Sequence, residues 1–260
     1  MQSIEKIAII GAGSLATNLA IALHNSGINI LQIANRTLPN AIVLAEKVNA
    51  TFTDNFTEID KSADLYIIAV SDTSIYNVLR KINLNGKFIV HTAGTIDMDI
   101  IKPFSDNFGV FYPLQTFSKT DVVSFDKIPI CIEANSIKNE KLLIQLGEKL
   151  SKDIQKINSV QRKVLHVSAV FASNFSSYMY FIAHEILEKN EISFDILKPL
   201  ILRTAEKVQT HQPEIAITGP ARRNDTAVMQ SHLNLLNKQK DFKEIYKLIS
   251  NNIIKHFHQI

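Results

Sequence analysis

A short apolar run, KIAII over residues 6–10, leads directly into GAGSLA and then into a segment with Leu15, Leu19, Ala22 and Leu23 at helical spacing. Little else in the chain restricts its fold as strongly. A continuous apolar strand needs cover on both faces, which a parallel sheet with helices on either side supplies. The hexad Gly11 to Ala16 fits G-x-G-x-x-G/A, and its place between a strand and a helix gives the pattern weight. Gly11 permits the tight turn, Gly13 lets backbone approach a pyrophosphate, and Ala16 is small enough for the helix to close on the strand. The N–H groups of Gly13, Ser14 and Leu15, just after Ala12, would face an anion at the helix N-terminus. The plain alternative is a tight turn without a ligand.

Strand and helix signals alternate through the first half. INILQIA (28–34), ATFTD, DLYIIAV (64–70), KFIVHTAG (87–94) and GVFYPL (109–114) read as strands. Helices are expected at 14–25, from Leu38 to Val48 with Pro39 in the first turn, and from Ser71 to Lys81 behind the capping residues SDTS. This order implies an α/β fold with a doubly wound parallel sheet and right-handed crossovers. IPICIEA, a helix near 138–150 and DIQKI form a last mixed piece. A long amphipathic helical stretch, Ser159 to Lys189, then opens a mostly helical second half with signals at 195–209, 225–237 and 241–257. The expected domains are 1–157 and 158–260.

Composition bounds the function class. A net charge of +3, with basic residues scattered apart from pairs such as Arg222-Arg223, gives no case for nucleic-acid binding. No run reaches the roughly 18 apolar residues that cross a bilayer. The start, MQSIEKIAIIGAG, lacks the basic and small-residue features of a signal peptide. The single cysteine, Cys131, sits in an alternating strand-like run and reads as a buried structural thiol. Together these features predict a cytoplasmic protein. His211, His256 and His258 lack metal-like spacing to carboxylates or cysteine, so no metal site is expected.

The end of the second strand reads LQIANRT (31–37). An acidic residue that would grip a ribose hydroxyl is expected there, and none is present. A carboxylate would repel a 2′-phosphate, whereas Arg36 attracts one, with Asn35 and Thr37 as hydrogen-bond donors. NADP(H) is therefore expected in preference to NAD(H); the alternative leaves Arg36 as a solvated surface residue. Two further strand ends should border the same crevice. These are AVSD, with Val70, Ser71 and Asp72, and HTAGT, with Thr92, Ala93 and Gly94. His91 reads as a base, a ribose contact or a satisfied strand-end histidine.

IAIIGAGSLATNLA, NRT, IIAVSD and HTAGT resemble the Rossmann domains of pyrroline-5-carboxylate reductase and the β-hydroxyacid dehydrogenases. FYPLQTFSK (111–119), HVSAVFASNF (166–175) and TGPARRND followed by His232 (218–232) resemble NADP-dependent oxidoreductases that pair a Rossmann-like domain with domain of unknown function 2520. The resemblance spans nearly the whole chain. It implies a fold similar to 6-phosphogluconate dehydrogenase, with a helical C-terminal domain that mediates homodimerisation. One position departs from the dehydrogenases. They carry Lys-x-x-x-Asn on the helix opening the second domain; Asn174 matches the Asn, but Val170 stands where the lysine belongs, and Lys163 is at another spacing.

The second half offers its own candidates. His166, Val170 and Asn174 are spaced i, i+4, i+8 and would share one helix face. His166 would serve as acid or base and Asn174 would orient a carbonyl or amide; otherwise they are a buried pair joining helices. Arg223 in GPARRND would clamp a carboxylate or phosphate, or pair with Asp225 or Glu214. Asp225 caps the next helix, and His232 lies on the same side of that helix and would join the cluster. Pro113, Gln115 and Thr116 follow a strand end and either border the substrate or form a plain connecting loop. The leading expectation is hydride transfer to or from a small polar, anionic substrate at an interdomain cleft. The alternatives are an NADP(H)-binding regulator or sensor without turnover, and a flavin or deazaflavin partner in place of a small substrate.

Overall fold

The computed structural model describes residues 3–258. Eight strands form one sheet: β1 (Lys6–Ile10), β2 (Asn29–Ala34), β3 (Thr51–Thr53), β4 (Leu65–Ile68), β5 (Phe88–His91), β6 (Asn107–Pro113), β7 (Ile130–Ala134) and β8 (Ile154–Lys156). Their spatial order is β3-β2-β1-β4-β5-β6-β7-β8, and β1 to β6 are all parallel. The connecting helices are α1 (Ser14–Asn25), α2 (Leu38–Lys47), a shorter α3 (Ile75–Leu79) and α4 (Ile137–Glu148). Alternation along β1 explains the two layers. Ile7 and Ile9 enter one apolar cluster, Ala8 and Ile10 the other, and all four are at most 1% exposed. Fully burying one such isoleucine contributes about 1.5–3 kcal/mol.

Strand order reverses between β1 and β4, which opens a crevice beyond the carboxyl ends of these strands. The helix expected from Ser71 is shorter than its apolar pattern. Residues 72–74 wind as a 3-10 turn, and Ser71 bonds Ser74 Oγ at 2.8 Å instead of capping the backbone. β7 runs antiparallel to β6, because the connection over residues 114–129 carries no crossover helix. That connection therefore stays at the carboxyl edge of the sheet, beside the Gly-rich turn. Cys131 is buried on β7, and burial pushes its thiol up to about 11.

By internal packing the chain divides into two compact units, one reaching to Ser173 and one starting at Asn174. Strand–helix alternation ends with β8, and α5 (Ser159–Ala169) packs with the sheet unit. Residues 170–175 then wind as a π-helix before α6 (Ser176–Glu188). The wider turn breaks the i, i+4, i+8 alignment that an uninterrupted α-helix would give His166, Val170 and Asn174.

The second unit continues with α7 (Lys198–Thr210), α8 (Pro213–Ala216), α9 (Thr226–Leu235) and α10 (Lys240–His258). Asp225 caps α9 through Val228 N–H at 3.2 Å. Arg222 stacks on Phe257 at 3.6 Å, its carbonyl accepts from His258 Nε2 at 3.1 Å, and Glu214 meets His256 at 3.4 Å. Glu214 is thus engaged by histidine, and neither it nor Asp225 pairs with Arg223 among the described residues. Leu200, Leu235 and Leu248 stay more than 60% exposed within this chain. No helix among the described residues is long and apolar enough to cross a membrane.

Candidate cofactor and proton-transfer site

A cleft of about 1140 Å³ lies in the first unit, at the reversal of strand order. Gly11, which follows β1, has φ +127°, and a Cβ there would run into the Ala69 carbonyl oxygen after β4. Only glycine lets these two loops pass so closely. Gly13 differs: its φ is an ordinary −78°, and a Cβ would meet no protein atom within 4 Å. The space above it is open to a ligand, while Ala16 is fully buried against the sheet. The residues therefore fit a dinucleotide, with open room over the second glycine and a helix N-terminus behind it.

All the proposed cofactor-contact positions border this one cleft. Gly11, Ala12, Gly13, Ser14 and Leu15 lie at its centre, Asn35, Arg36 and Thr37 after β2, Val70, Ser71 and Asp72 after β4, and Thr92, Ala93 and Gly94 after β5. The Asn35 amide donates to the Thr37 carbonyl at 2.9 Å and shapes the turn that leaves Arg36 exposed. Thr95 donates to Asp72 and ties the ends of β4 and β5 together. Arg80 and Lys81, at the end of α3, add positive charge to the wall. The sequence does not single them out, because nothing local shows that α3 ends at the crevice.

The β6–β7 connection forms another wall. Asn18 on α1 is fully buried; its amide donates to Ser118 O at 2.7 Å and its Oδ1 accepts from Val123 N–H at 3.1 Å. Phe117 stacks on Phe125 at 5.6 Å. This brings Gln115, Phe117 and Lys119 to the cleft. Pro113 closes β6, and Thr116 bonds Ser173 Oγ at 2.9 Å; neither lines the cleft.

His166 borders the same cleft, half-buried on α5. Its Nδ1 meets the Tyr112 hydroxyl at 3.2 Å, and its ring lies against Gly94 so closely that a Cβ there would enter the imidazole. Burial pushes the Tyr112 phenol up to about 12, so the hydroxyl keeps its proton. One turn earlier on α5, the Arg162 side chain is fully buried. Its Nε donates to Ala93 O at 3.1 Å, Nη1 to Glu133 at 2.6 Å, and Nη2 to Ile96 O at 2.5 Å. Glu133 also accepts from Ser159 N–H and Oγ at 2.9 and 2.7 Å. This network fixes the loop after β5 to the helix that carries His166. Sequence reading missed it, because a charged pair on an amphipathic helix and a strand end resembles a solvated pair; the available signal was Glu133 inside an otherwise apolar strand.

His91 is fully buried under the same loop. Its Nδ1 accepts from Ala93 N–H at 3.1 Å, so its proton sits on Nε2, a buried atom with no hydrogen-bond partner among the described residues. Burial, followed by the charge of Arg162, lowers its pKa to about 4. His91 does not line the cleft, and the satisfied strand-end histidine expected as one alternative is met at Nδ1 but not at Nε2. The remaining candidates belong to the second unit. Asn174 and Arg223 are exposed, and His232 Nδ1 bonds Tyr246 Oη at 2.9 Å between α9 and α10.

Comparison with known proteins adds a family to this geometry. Residues 6–94 match the family described as NADP oxidoreductase, coenzyme F420-dependent, and residues 128–253 match Domain of unknown function (DUF2520). No curated protein matches the chain. A Bacteroides fragilis protein provisionally described as an NADP oxidoreductase is 41% identical, with 97% of this chain and 98% of that one covered and a TM-score of 0.92. A reductive aminase from Aspergillus terreus, solved with NADPH and ethyl-5-oxohexanoate, shares the fold at 12% identity, with 98% and 95% coverage and a TM-score of 0.72. A 1-pyrroline-5-carboxylate reductase from Streptococcus pyogenes does so at 17% identity, with 96% and 98% coverage and a TM-score of 0.60. The first unit thus carries an NADP-binding domain, and the chain belongs to the oxidoreductase family of the Bacteroides fragilis protein, in which that domain precedes DUF2520.

Proposed function

We propose that the chain is an NADP(H)-dependent oxidoreductase acting on a small polar, anionic carbonyl, imine or alcohol. One observation carries the reading: a single cleft runs from the Gly-rich turn and Arg36 to the Tyr112–His166 pair. When bound, the nicotinamide supplies or accepts hydride. The chain does the rest. N–H groups after Gly13 hold the pyrophosphate, Arg36 grips the 2′-phosphate with Asn35 and Thr37, and Phe117 and Lys119 cover the central part. His166 holds the proton exchanged with the substrate heteroatom. Arg223 is the proposed anchor for an anionic group, and Asn174 and His232 are proposed further polar contacts. The family's description as oxidoreductases favours turnover over a binding-only regulator. The exposed apolar residues of the second unit, such as Leu200, Leu235 and Leu248, support a homodimer through that unit.

The test is His166→Ala, assayed by NADPH oxidation with a panel of keto acids and cyclic imines. Loss of at least about 100-fold in kcat is expected, in the range of general acid–base catalysis, with NADPH affinity little changed. Full activity would return His166 to a structural role.

A further inference from the structure

We propose that Tyr112 is a positioning residue that holds His166 in one tautomer, with the proton on Nε2 directed to the substrate and Nδ1 reserved for the tyrosine. This rests on the proton-handling role given to His166 above. The argument begins with burial. Tyr112 lies on β6 with 8% of its surface exposed, and the hydrogen-bond partner of its hydroxyl among the described residues is His166 Nδ1 at 3.2 Å. A hydroxyl this little exposed favours placing its proton on the acceptor beside it, and among the described residues that acceptor is His166 Nδ1. Nδ1 can accept only while it carries no proton, which sends the proton of the neutral ring to Nε2. The high pKa of Tyr112 keeps its hydroxyl a donor across the working pH range.

Geometry leaves the ring little choice of seat. The Nδ1 edge lies against Gly94, where a Cβ would overlap Nδ1 and Cγ and would stand 3.1 Å from the Tyr112 hydroxyl. Gly94 is thus the floor of the seat and Tyr112 its side. Arg162 locks floor and helix together through Ala93 O and Ile96 O. Rotating the imidazole to present Nε2 to Tyr112 would also lose the edge that fits over Gly94. Held this way, Nε2 is the ring nitrogen left for the substrate, and its proton is in place before the substrate arrives.

The experiment reads the tautomer directly. The full-length protein is labelled with 15N in its imidazoles, and long-range 1H–15N NMR is recorded with NADP+ bound, at a pH where the ring is neutral. His166 is assigned by the signal missing from His166→Asn. The proposal expects a deprotonated Nδ1 and a protonated Nε2 in the parent. In Tyr112→Phe the tautomer ratio should fall by roughly fivefold, the equilibrium worth of one ordinary hydrogen bond. A protonated Nδ1 in the parent, or an unchanged ratio in Tyr112→Phe, would overturn it. The parent spectrum decides the first point even if the variant folds poorly. Because the readout is not turnover, it separates from the His166→Ala test. Full activity in that variant would remove the catalytic role and leave the tautomer measurement standing.

Discussion

Two glycines two positions apart do different work, and this difference can be measured. Gly11 is held at φ +127° against the Ala69 carbonyl, so its freedom serves the fold. Gly13 has ordinary φ and open space above it, so its missing side chain is assigned, as part of the proposed cofactor site, to the ligand. Gly11→Ala should lower the unfolding free energy by about 3 kcal/mol or more through backbone strain and overlap. Gly13→Ala should stay within about 0.5 kcal/mol of the parent in stability while losing NADPH affinity roughly tenfold or more. Denaturant melts and fluorescence titrations on the two variants check both halves, and an equal stability loss in the two would refute the assignment. That the Gly-rich positions and Arg36 border one cleft was legible in the sequence, because the strand–turn–helix setting and the strand end announce it. His166 also borders it, but the i, i+4, i+8 spacing that singled it out does not survive the π-helix at 170–175. Tyr112 was not legible. On a strand it looks like any aromatic, and its meaning depends on a helix more than fifty residues away.

Elements were legible where one local rule decides them. Strands β1 to β6 follow from short apolar runs separated by helical segments, and their order gives the crevice. Two features escaped. The antiparallel course of β7 depends on a connection that lacks a helix, and the apolar periodicity does not mark the π-turn at 170–175. The anchor of α5 escaped for a related reason, since Arg162 and Glu133 meet only once the sheet is built. Arg162→Met leaves the Glu133 carboxylate without its buried partner, and a loss of roughly 3–5 kcal/mol is expected. Arg162→Met combined with Glu133→Leu should recover a large part of that loss in urea melts. No recovery would mean that the backbone bonds to Ala93 and Ile96 dominate.

At the scale of the whole molecule, the buried His91 couples stability to pH. Above the ordinary histidine value of 6.5, folded and unfolded chains both hold this ring neutral, and its contribution is fully present. Between 6.5 and about 4 the unfolded chain binds a proton that the folded chain refuses, so stability falls as pH falls. Across that window the loss is roughly 3 kcal/mol for this one group. His91→Asn, whose side-chain oxygen can accept from Ala93 N–H, should flatten this part of the pH–stability curve. A slope equal to the parent's would remove His91 as the cause.

The same whole-molecule view rests on one cleft, with a proposed phosphate end at Arg36 and a proposed proton-transfer end at His166. The phosphate end is the more directly measurable. Titrating the parent and Arg36→Ala with NADPH and NADH gives four affinities. A charge-assisted contact to the 2′-phosphate contributes about 1.5–3 kcal/mol, so the variant should lose roughly 10- to 100-fold in NADPH affinity while NADH changes little. Equal loss for both cofactors, or no loss for either, would contradict the assignment of Asn35-Arg36-Thr37 as the 2′-phosphate site.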